Sequence, residues 1–254
     1  MLRSLLRSCL MIAATAAPGA AWAGPLVTNL VTNGTLAATT FTTNNQFGTG
    51  FGGQGVTGWT GNGGYNLFFF NGTATTISAN SQYDNGAGTG SEMLWGTSLF
   101  TGSSPGNYNM VALDGDQSIN GAGGGAIGQT INGLAAGTNY AVTFEWGAGQ
   151  LQSRSGPTTD YLKVSLGGET LDTNQLSNPS KGFTGWYTET LIFSATAASE
   201  FLQFVSIGGP NGLPPIAVLT DIQMVAAPEP ASLALLGIGL VGVAAVRRRR
   251  ALSK

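Results

Sequence analysis

The sequence has no histidine and a single cysteine, and only 9% of its residues are charged. Without histidine, a Ser-His-Asp triad, a Cys-His pair and an imidazole-ligated metal are excluded. The one thiol, Cys9, falls in the N-terminal leader described below, so the body has none for catalysis, zinc or a disulfide. Positive charge is scarce too. Between Gly24 and Ala227 three cations (Arg154, Lys163, Lys181) stand against eleven acids, a net charge of −8 that the chain total of −2 conceals. Three scattered cations do not make the basic stripe that a phosphate backbone requires, which excludes nucleic acid as a partner.

The remaining cations sit at the two ends. Residues 1–23, MLRSLLRSCLMIAATAAPGAAWA, place Arg3 and Arg7 before the apolar stretch Cys9 to Ala17 and end on Ala21-Trp22-Ala23. A positive start, a short apolar run and an A-x-A site describe a secretory signal peptide cleaved after Ala23. An amphipathic helix opening a cytosolic domain leaves that site unexplained. A lipoprotein signal is excluded because Arg7 lies two positions before the cysteine.

At the other end Pro228-Glu229-Pro230 precedes sixteen uncharged residues, Ala231 to Val246, and then Arg247, Arg248, Arg249 and Arg250. As a helix this run covers roughly 24 Å against a hydrocarbon core of ~30 Å, a shortfall that snorkelling arginines and local thinning accommodate. The arginines belong on the cytoplasmic side, which places the body outside. A buried core helix does not tolerate four adjacent arginines. These three parts in this order resemble the PEP-CTERM sorting signal. The resemblance implies recognition by an exosortase-type processing enzyme, an inner-membrane anchor before processing, and a final place on the cell surface or outside the cell, in organisms that make extracellular polysaccharide.

The 204 residues of the body, 24–227, hold 36 of the 40 glycines. Alternation with a period of two nevertheless runs through it. In TNYAVTFEWG, Tyr140, Val142, Phe144 and Trp146 share one face; in DYLKVSLGG, Leu162, Val164 and Leu166 do; GWYTETLIFSA, FLQFVSI and IAVLTDIQM continue the pattern. Gly, Asn and Pro clusters separate these runs, so the body reads as one all-β domain, most clearly from Ala126 to Val225. The first half places short apolar runs, Trp59 and Leu67 to Phe70, among long glycine-rich loops of the kind that carry function.

The ordered strings NLVTNGT, GWT, MLWG, VALDGD, AIGQTINGLAAGTNYAVTFEWGAGQ, DYLKVSLGG, PSKGFTGW and GLPPIAVLTDIQM resemble the galactose-binding-like jelly-roll body found in PEP-CTERM proteins and related to carbohydrate-binding modules. The resemblance runs from about Asn29 to Met224 and implies a single jelly-roll β-sandwich. It also implies a structural calcium held by an early acid and one in the last strand. Asp221 matches the second, but Asn33-Gly34-Thr35-Leu36-Ala37 lacks the first.

Among candidate sites, Asp114-Gly115-Asp116 reads as a turn rather than a calcium loop, because the EF-hand spacing is missing. Gly121 to Ala126 matches G-x-G-x-x-A by letter, yet a strand-like run follows where a phosphate loop opens a helix. Lys163 and Lys181 read as solvated lysines. Paired carboxylates for glycoside chemistry would have to come from Glu92, Glu145, Asp160 and Glu189. Sugars stack their C–H faces on aromatic rings, which makes Trp59, Tyr65, Trp95, Tyr108 and Trp186 the candidate carbohydrate contacts. Core anchoring is the competing role for each. The expectation is an exported, non-catalytic protein that binds or organises extracellular polysaccharide. The rivals are a surface or matrix protein acting by protein contacts, and a glycoside-active enzyme.

Overall fold

The computed structural model describes residues 28–48, 55–75, 93–118, 123–213 and 215–227. The leader with Ala21 and Ala23, and the tail with Pro228, Glu229, Pro230 and Arg247 to Arg250, lie outside the described residues, as does Glu92.

The described residues form strands and turns, with no helix. The strands are β1 (Asn45–Gln46), β2 (Thr60–Gly63), β3 (Asn66–Phe69), β4 (Met110–Asp114), β5 (Gly125–Asn132), β6 (Asn139–Gln150), β7 (Thr158–Leu166), β8 (Glu169–Asp172), β9 (Leu176–Asn178), β10 (Tyr187–Ser194), β11 (Ser199–Gly209) and β12 (Pro215–Ala226). One sheet has the order β1-β3-β4-β12-β6-β10, the other β2-β5-β11-β7-β8, with β9 pairing to β7. From β4 to β7, and again from β10 to β12, consecutive strands cross from one sheet to the other. The neighbour orders β4-β12-β6-β10 and β5-β11-β7-β8 are those of a jelly roll, two Greek keys folded face to face.

The alternating runs of the second half become β6, β7, β10, β11 and β12, and their apolar faces build the core between the sheets. Phe144, Trp146, Leu162, Val164, Phe193 and Phe204 are all essentially inaccessible there, and Phe144 meets Phe204 edge-on at 5.1 Å. Strands β3, β4 and β12 read instead as continuous apolar runs, NLFF, MVALD and PIAVLT, because they are covered on both faces. Their inner residues Phe68, Val111, Leu113, Ala217 and Leu219 join the central core. Their outer residues Leu67, Phe69, Met110, Ala112, Ile216 and Val218 join a second core with Leu94, Phe100, Leu151 and Phe183. The glycine-rich first half therefore supplies a third layer, which roofs the outer face of the first sheet. Phe100 and Phe183 stack there at 4.5 Å.

A bulge interrupts the pairing of β12 with β6 between Thr220 and Gln223. Asp221 takes a left-handed φ of 46°, Ile222 enters the core, and its freed N–H donates to the Gly34 carbonyl at 3.0 Å. A side chain at Gly34 would run into the Ile222 carbonyl, so the close approach requires glycine. The first described residues join the same region: Leu30 N–H donates to Met224 O, and Ala227 N–H to Asn139 O. Both termini of the sandwich thus lie at one end. The loops that follow β4, β6 and β11 gather at the other.

Candidate functional site

At that loop-bearing end an open cleft of ≈ 560 Å³ lies over the ends of β7, β9 and β11. Pro157, Pro179 and Pro210 form its apolar walls, and Thr158, Thr159, Ser177 and Asn178 give it polar groups. Thr158 and Asn178 are cross-strand partners between β7 and β9, and both are buried. Asn178 Nδ2 donates to Gly182 O at 3.2 Å. Its Oδ1, and the Oγ1 of Thr158, are buried with no hydrogen-bond partner.

The loops bearing these prolines are tied in place. Gln150, at the end of β6, donates from Nε2 to Gly156 O at 2.9 Å, and its Oε1 accepts the Lys181 N–H at 2.7 Å. Ser180 Oγ accepts the Gly156 N–H at 2.8 Å. The third loop is fastened by Asp116, whose carboxylate accepts the N–H of Gly212 at 2.6 Å and of Ser118 at 2.8 Å. Asp116 N–H in turn donates to Asp114 Oδ1 at 2.8 Å. Asp114-Gly115-Asp116 is accordingly a staple running out of the end of β4, and the turn itself falls on Gln117 and Ser118. The glycine run ends, also as read, in a strand: β5 begins at Gly125.

The acids here are packed inside. Asp160, two residues along β7 from Thr158, is fully buried, and Ser206 Oγ donates to its two oxygens at 3.0 and 3.1 Å. Burial raises the Asp160 pKa well above the usual carboxylate range, with the Asp114 charge adding to it. Burial also pushes Asp114 up to about 7, opposed by the Asp116 N–H and assisted by the Asp116 charge. Asp116 is held below its ordinary value: burial opposes this, but the N–H groups of Gly212 and Ser118 and the Ser118 hydroxyl outweigh it.

The candidate aromatics separate into different environments. Trp59 is a core residue, 3% exposed, with its indole N–H on Asn33 O at 3.0 Å. Trp146 is likewise in the core. Tyr65 and Trp186 are half-buried against the second core, Trp186 at 5.4 Å from Phe183 and 6.0 Å from Phe100. Tyr108 is half-buried beside Gly106. Trp95 is half-buried at the loop end, its backbone N–H on Gln150 O at 3.0 Å and its indole N–H on Arg154 O at 2.9 Å. Lys181 covers part of its ring, the ammonium 4.9 Å from the centroid. Of the five, Trp95 is the one tied directly to the loops around the cleft. Two asparagines next to candidate tyrosines in the chain hold backbone groups: Asn66 Nδ2 donates to Asn62 O and Ala126 O, and Asn109 Nδ2 to Leu36 O.

The cleft itself escapes sequence reading. Its walls are scattered prolines and its floor is two ordinary strand residues. The only available signal was the cluster of prolines at the ends of three apolar runs, which reads equally well as turn punctuation.

The carboxylates offered for glycoside chemistry do not converge. Glu145 pairs with Thr188 and Glu189 with Phe144, so the two acids lie on opposite faces of the first sheet, while Asp160 is buried in the second. Asp221 accepts from Gln223 Nε2 at 3.0 Å and, after burial, is the second cause of a raised Glu145 pKa. No third acid joins them: among the described residues no cluster of three or more acidic, cysteine or histidine side chains can hold a metal ion. With Ala37 in place of the early acid and the Gly34 carbonyl engaged by Ile222, the residues present do not fit a structural calcium.

The class is thus a jelly-roll β-sandwich with one roofed sheet and a cleft at its loop end. Residues 226–250 match the PEP-CTERM protein-sorting motif, and the match begins on Ala226, the final residue of β12. No curated protein matches the chain. Solved structures resemble it at low identity. The TmCBM61 structure in complex with beta-1,4-galactotriose is 18% identical over 47% of this chain and 72% of that one, with a TM-score of 0.31. The CBM22-1 xylan-binding domain from Paenibacillus barcinonensis Xyn10C is 11% identical over 74% and 94%, with a TM-score of 0.34. The enzymatically active domain of bacteriophage CBA120 tailspike protein 4 is 12% identical over 78% and 21%, with a TM-score of 0.31. No helix among the described residues is long and apolar enough to cross a membrane; the apolar run Ala231 to Val246 lies outside them.

Proposed function

We propose that this is an exported, non-catalytic glycan-binding protein, handed by its C-terminal tail to an exosortase-type enzyme and displayed at the cell surface or in the extracellular polysaccharide. The observation that carries the binding role is the cleft at the loop end: an open, preformed hollow with proline walls and the hydroxyl-bearing residues Thr159 and Ser177 in its lining. Its lining contains no ionisable side chain. Together with the separation of Glu145, Glu189 and Asp160, that favours binding over hydrolysis.

The position of the tail supports the same reading. Only Ala227 separates the end of β12 from Pro228. The twelve residues of β12 span about 36 Å from the cleft end, at Pro215, to the tail end, at Ala226. Before processing, a tail anchored in the inner membrane would hold the cleft at the far end of the sandwich, facing outward toward polymer. Trp95, Trp186, Tyr65 and Tyr108 remain candidate flanking contacts.

A second reading, a matrix protein acting by protein contacts, is favoured by the edge strand β10, where Tyr187 is 45% and Ile192 46% exposed. Glycan binding by the full-length protein in a sugar-free detergent, measured beside its sedimentation, distinguishes the two. Glycan-dependent retention without self-association supports the glycan-binding role. Self-association without glycan binding supports the matrix role and removes the first.

A further inference from the structure

We propose that Asp114, Asp116 and Asp160 form a proton-dependent latch. It ties the loop after β4 to the loop after β11 while Asp114 keeps its proton, and loosens both when that proton is lost. The latch concerns how one wall of the cleft is held, and it stands whether or not the cleft takes glycan.

The first reason is how the two loops are sewn together. Asp114 is the last residue of β4 and pairs with Ile216, near the start of β12. Its Oδ1 accepts the Asp116 N–H at 2.8 Å, and Asp116 Oδ2 accepts the Gly212 N–H at 2.6 Å. Between the two acids, Gly115 N–H donates to Pro215 O at 2.7 Å, and Gly115 O accepts the Gly208 N–H at 3.0 Å. Gln117 Nε2 adds bonds to Gly115 O at 2.9 Å and to Ser206 O at 3.2 Å. A side chain at Gly115 would meet Gly208, Pro215 and Ser206 at 2.9 Å, so the loop lies tight against the connection between β11 and β12. Gly209 and Pro210 belong to that connection and line the cleft.

The second reason is the unequal support of the three carboxyls, all of them buried. A buried carboxylate keeps its charge only where donors or a cation replace its lost water. Asp116 has three donors, the N–H groups of Gly212 and Ser118 and the Ser118 hydroxyl at 2.6 Å, and it is held ionised. Asp114 is supported by the Asp116 N–H, with the Asp116 charge two residues away. No salt bridge among the described residues reaches either acid. Burial accordingly raises Asp114 to about 7, and Asp160, deeper on β7, is raised as well. One charge is thus accommodated at this junction, and Asp114 is placed to add a second. Hydrating that second charge requires residues 115–118 to swing outward, which parts Asp116 from Asp114 and pulls on the Gly212 anchor.

The charged groups around Asp114 are Asp116 from its own loop, Asp160 from β7, and Arg154 from the loop after β6, whose charge opposes the rise. Tyr65 meets it through a carbonyl, which accepts the Asp114 N–H at 2.9 Å. Strands β3 and β5 contain no titratable residue, and Glu200 of β11 and Asp221 of β12 lie toward the opposite end of their strands.

Hydrogen–deuterium exchange of the full-length protein in detergent reads the latch, with labelling times scaled to the intrinsic amide rate. Between about pH 5.5 and about pH 8.5, opening of residues 115–118 and 208–213 should rise about tenfold or more, while residues 139–150 stay protected. Asp114→Asn keeps the acceptor for the Asp116 N–H but never charges, so its change over the same range should be under about twofold. Arg154 is exposed and its Nη1 donates to Ser153 O, so Arg154→Gln leaves the core untouched and should move the opening to higher pH. Equal protection of the parent loops at both pH values overturns the latch, as does an Asp114→Asn response as large as the parent's. Exposure of residues 139–150 together with the loops overturns its local character. Should Asp114→Asn fail to fold, Arg154→Gln decides: an opening midpoint that stays in place or moves to lower pH overturns the proposal.

Discussion

Ser206 Oγ lies 3.0 and 3.1 Å from the two carboxylate oxygens of Asp160, inside the sandwich and directly behind the cleft. Asp160 and its neighbour Asp114 both have raised pKa values, Asp114 about 7 from 3.8, chiefly through burial. A carboxyl whose folded pKa is raised binds its proton more tightly in the folded state. The contribution of Asp114 is therefore fully present below about pH 4 and is lost as the pH rises through about 7. For Asp114 the effect is on the order of a few kcal/mol. Asp116 and Glu200 act in the opposite sense: Asp116 is held low despite burial by its N–H donors, and Glu200 chiefly by the Thr196 hydroxyl. Asp114→Asn mimics the protonated form and should flatten the fall in stability between pH 4 and 8, as urea unfolding across that range would register. A variant whose stability falls as steeply as the parent's would contradict this.

Gly34→Ala should destabilise the fold by about 1–3 kcal/mol, the usual cost of forcing atoms into a packed site. The added carbon meets the Ile222 carbonyl, and relieving the overlap breaks the Ile222 N–H to Gly34 O bond that seals the β12 bulge. Thermal unfolding reads the loss directly. An unchanged midpoint would show that the bulge does not depend on this approach.

Lys181 has a left-handed φ of 61° and spans the cleft loop and Trp95. Lys181→Gly relieves that backbone cost of roughly 1 kcal/mol but gives up a cation–π contact of about 0.5–1 kcal/mol and adds the entropy of glycine. Net stability should stay within about 1 kcal/mol of the parent. Acrylamide should quench tryptophan fluorescence more strongly, because the Trp95 ring is uncovered. Equal quenching would place the lysine elsewhere in solution.

Phe183→Ala should cost about 3–5 kcal/mol, as expected for a large aromatic removed from a packed cluster. Its ring stacks on Phe100 at 4.5 Å and joins the loops of the first half to the outer face of the first sheet. Limited proteolysis should then cut within residues 70–109 while the strands of the second half stay protected. Simultaneous loss of both regions would contradict a separable roof.

Much of the fold is legible in the sequence where one physical rule dominates. Tyr140, Val142, Phe144 and Trp146 alternate because one face of β6 meets the core, so strand and face follow from period two. The continuous runs of β3, β4 and β12 hide their faces, since both sides are covered. The roof that covers them is made of single aromatics, Phe100 and Phe183, set in loops without periodicity. Trp59 shows the limit for the site. Its glycine-rich neighbourhood suits an exposed ring equally well, and only the Asn33 carbonyl and the packing with Phe204, 6.4 Å away, place it inside. Trp95 was legible as a loop aromatic, but its lysine cover comes from 86 positions downstream in the chain. The cleft depends on the register of Thr158 with Asn178, which no local pattern encodes.

The tail makes a separate expectation. A chain ending at Ala227 should still be exported but should lose processing and envelope retention, so that fractionation finds it free in the periplasm or medium. Retention identical to the full chain would mean that residues 228–254 do not sort it.

The most direct measurement is a glycan array probed with the full-length protein in a sugar-free detergent, with the bound polymers recovered and sized afterwards. Retention on at least one polysaccharide, with the polymer recovered at its original length, is the outcome the account predicts. Absence of binding across the array, or recovery of shortened polymer, would contradict it.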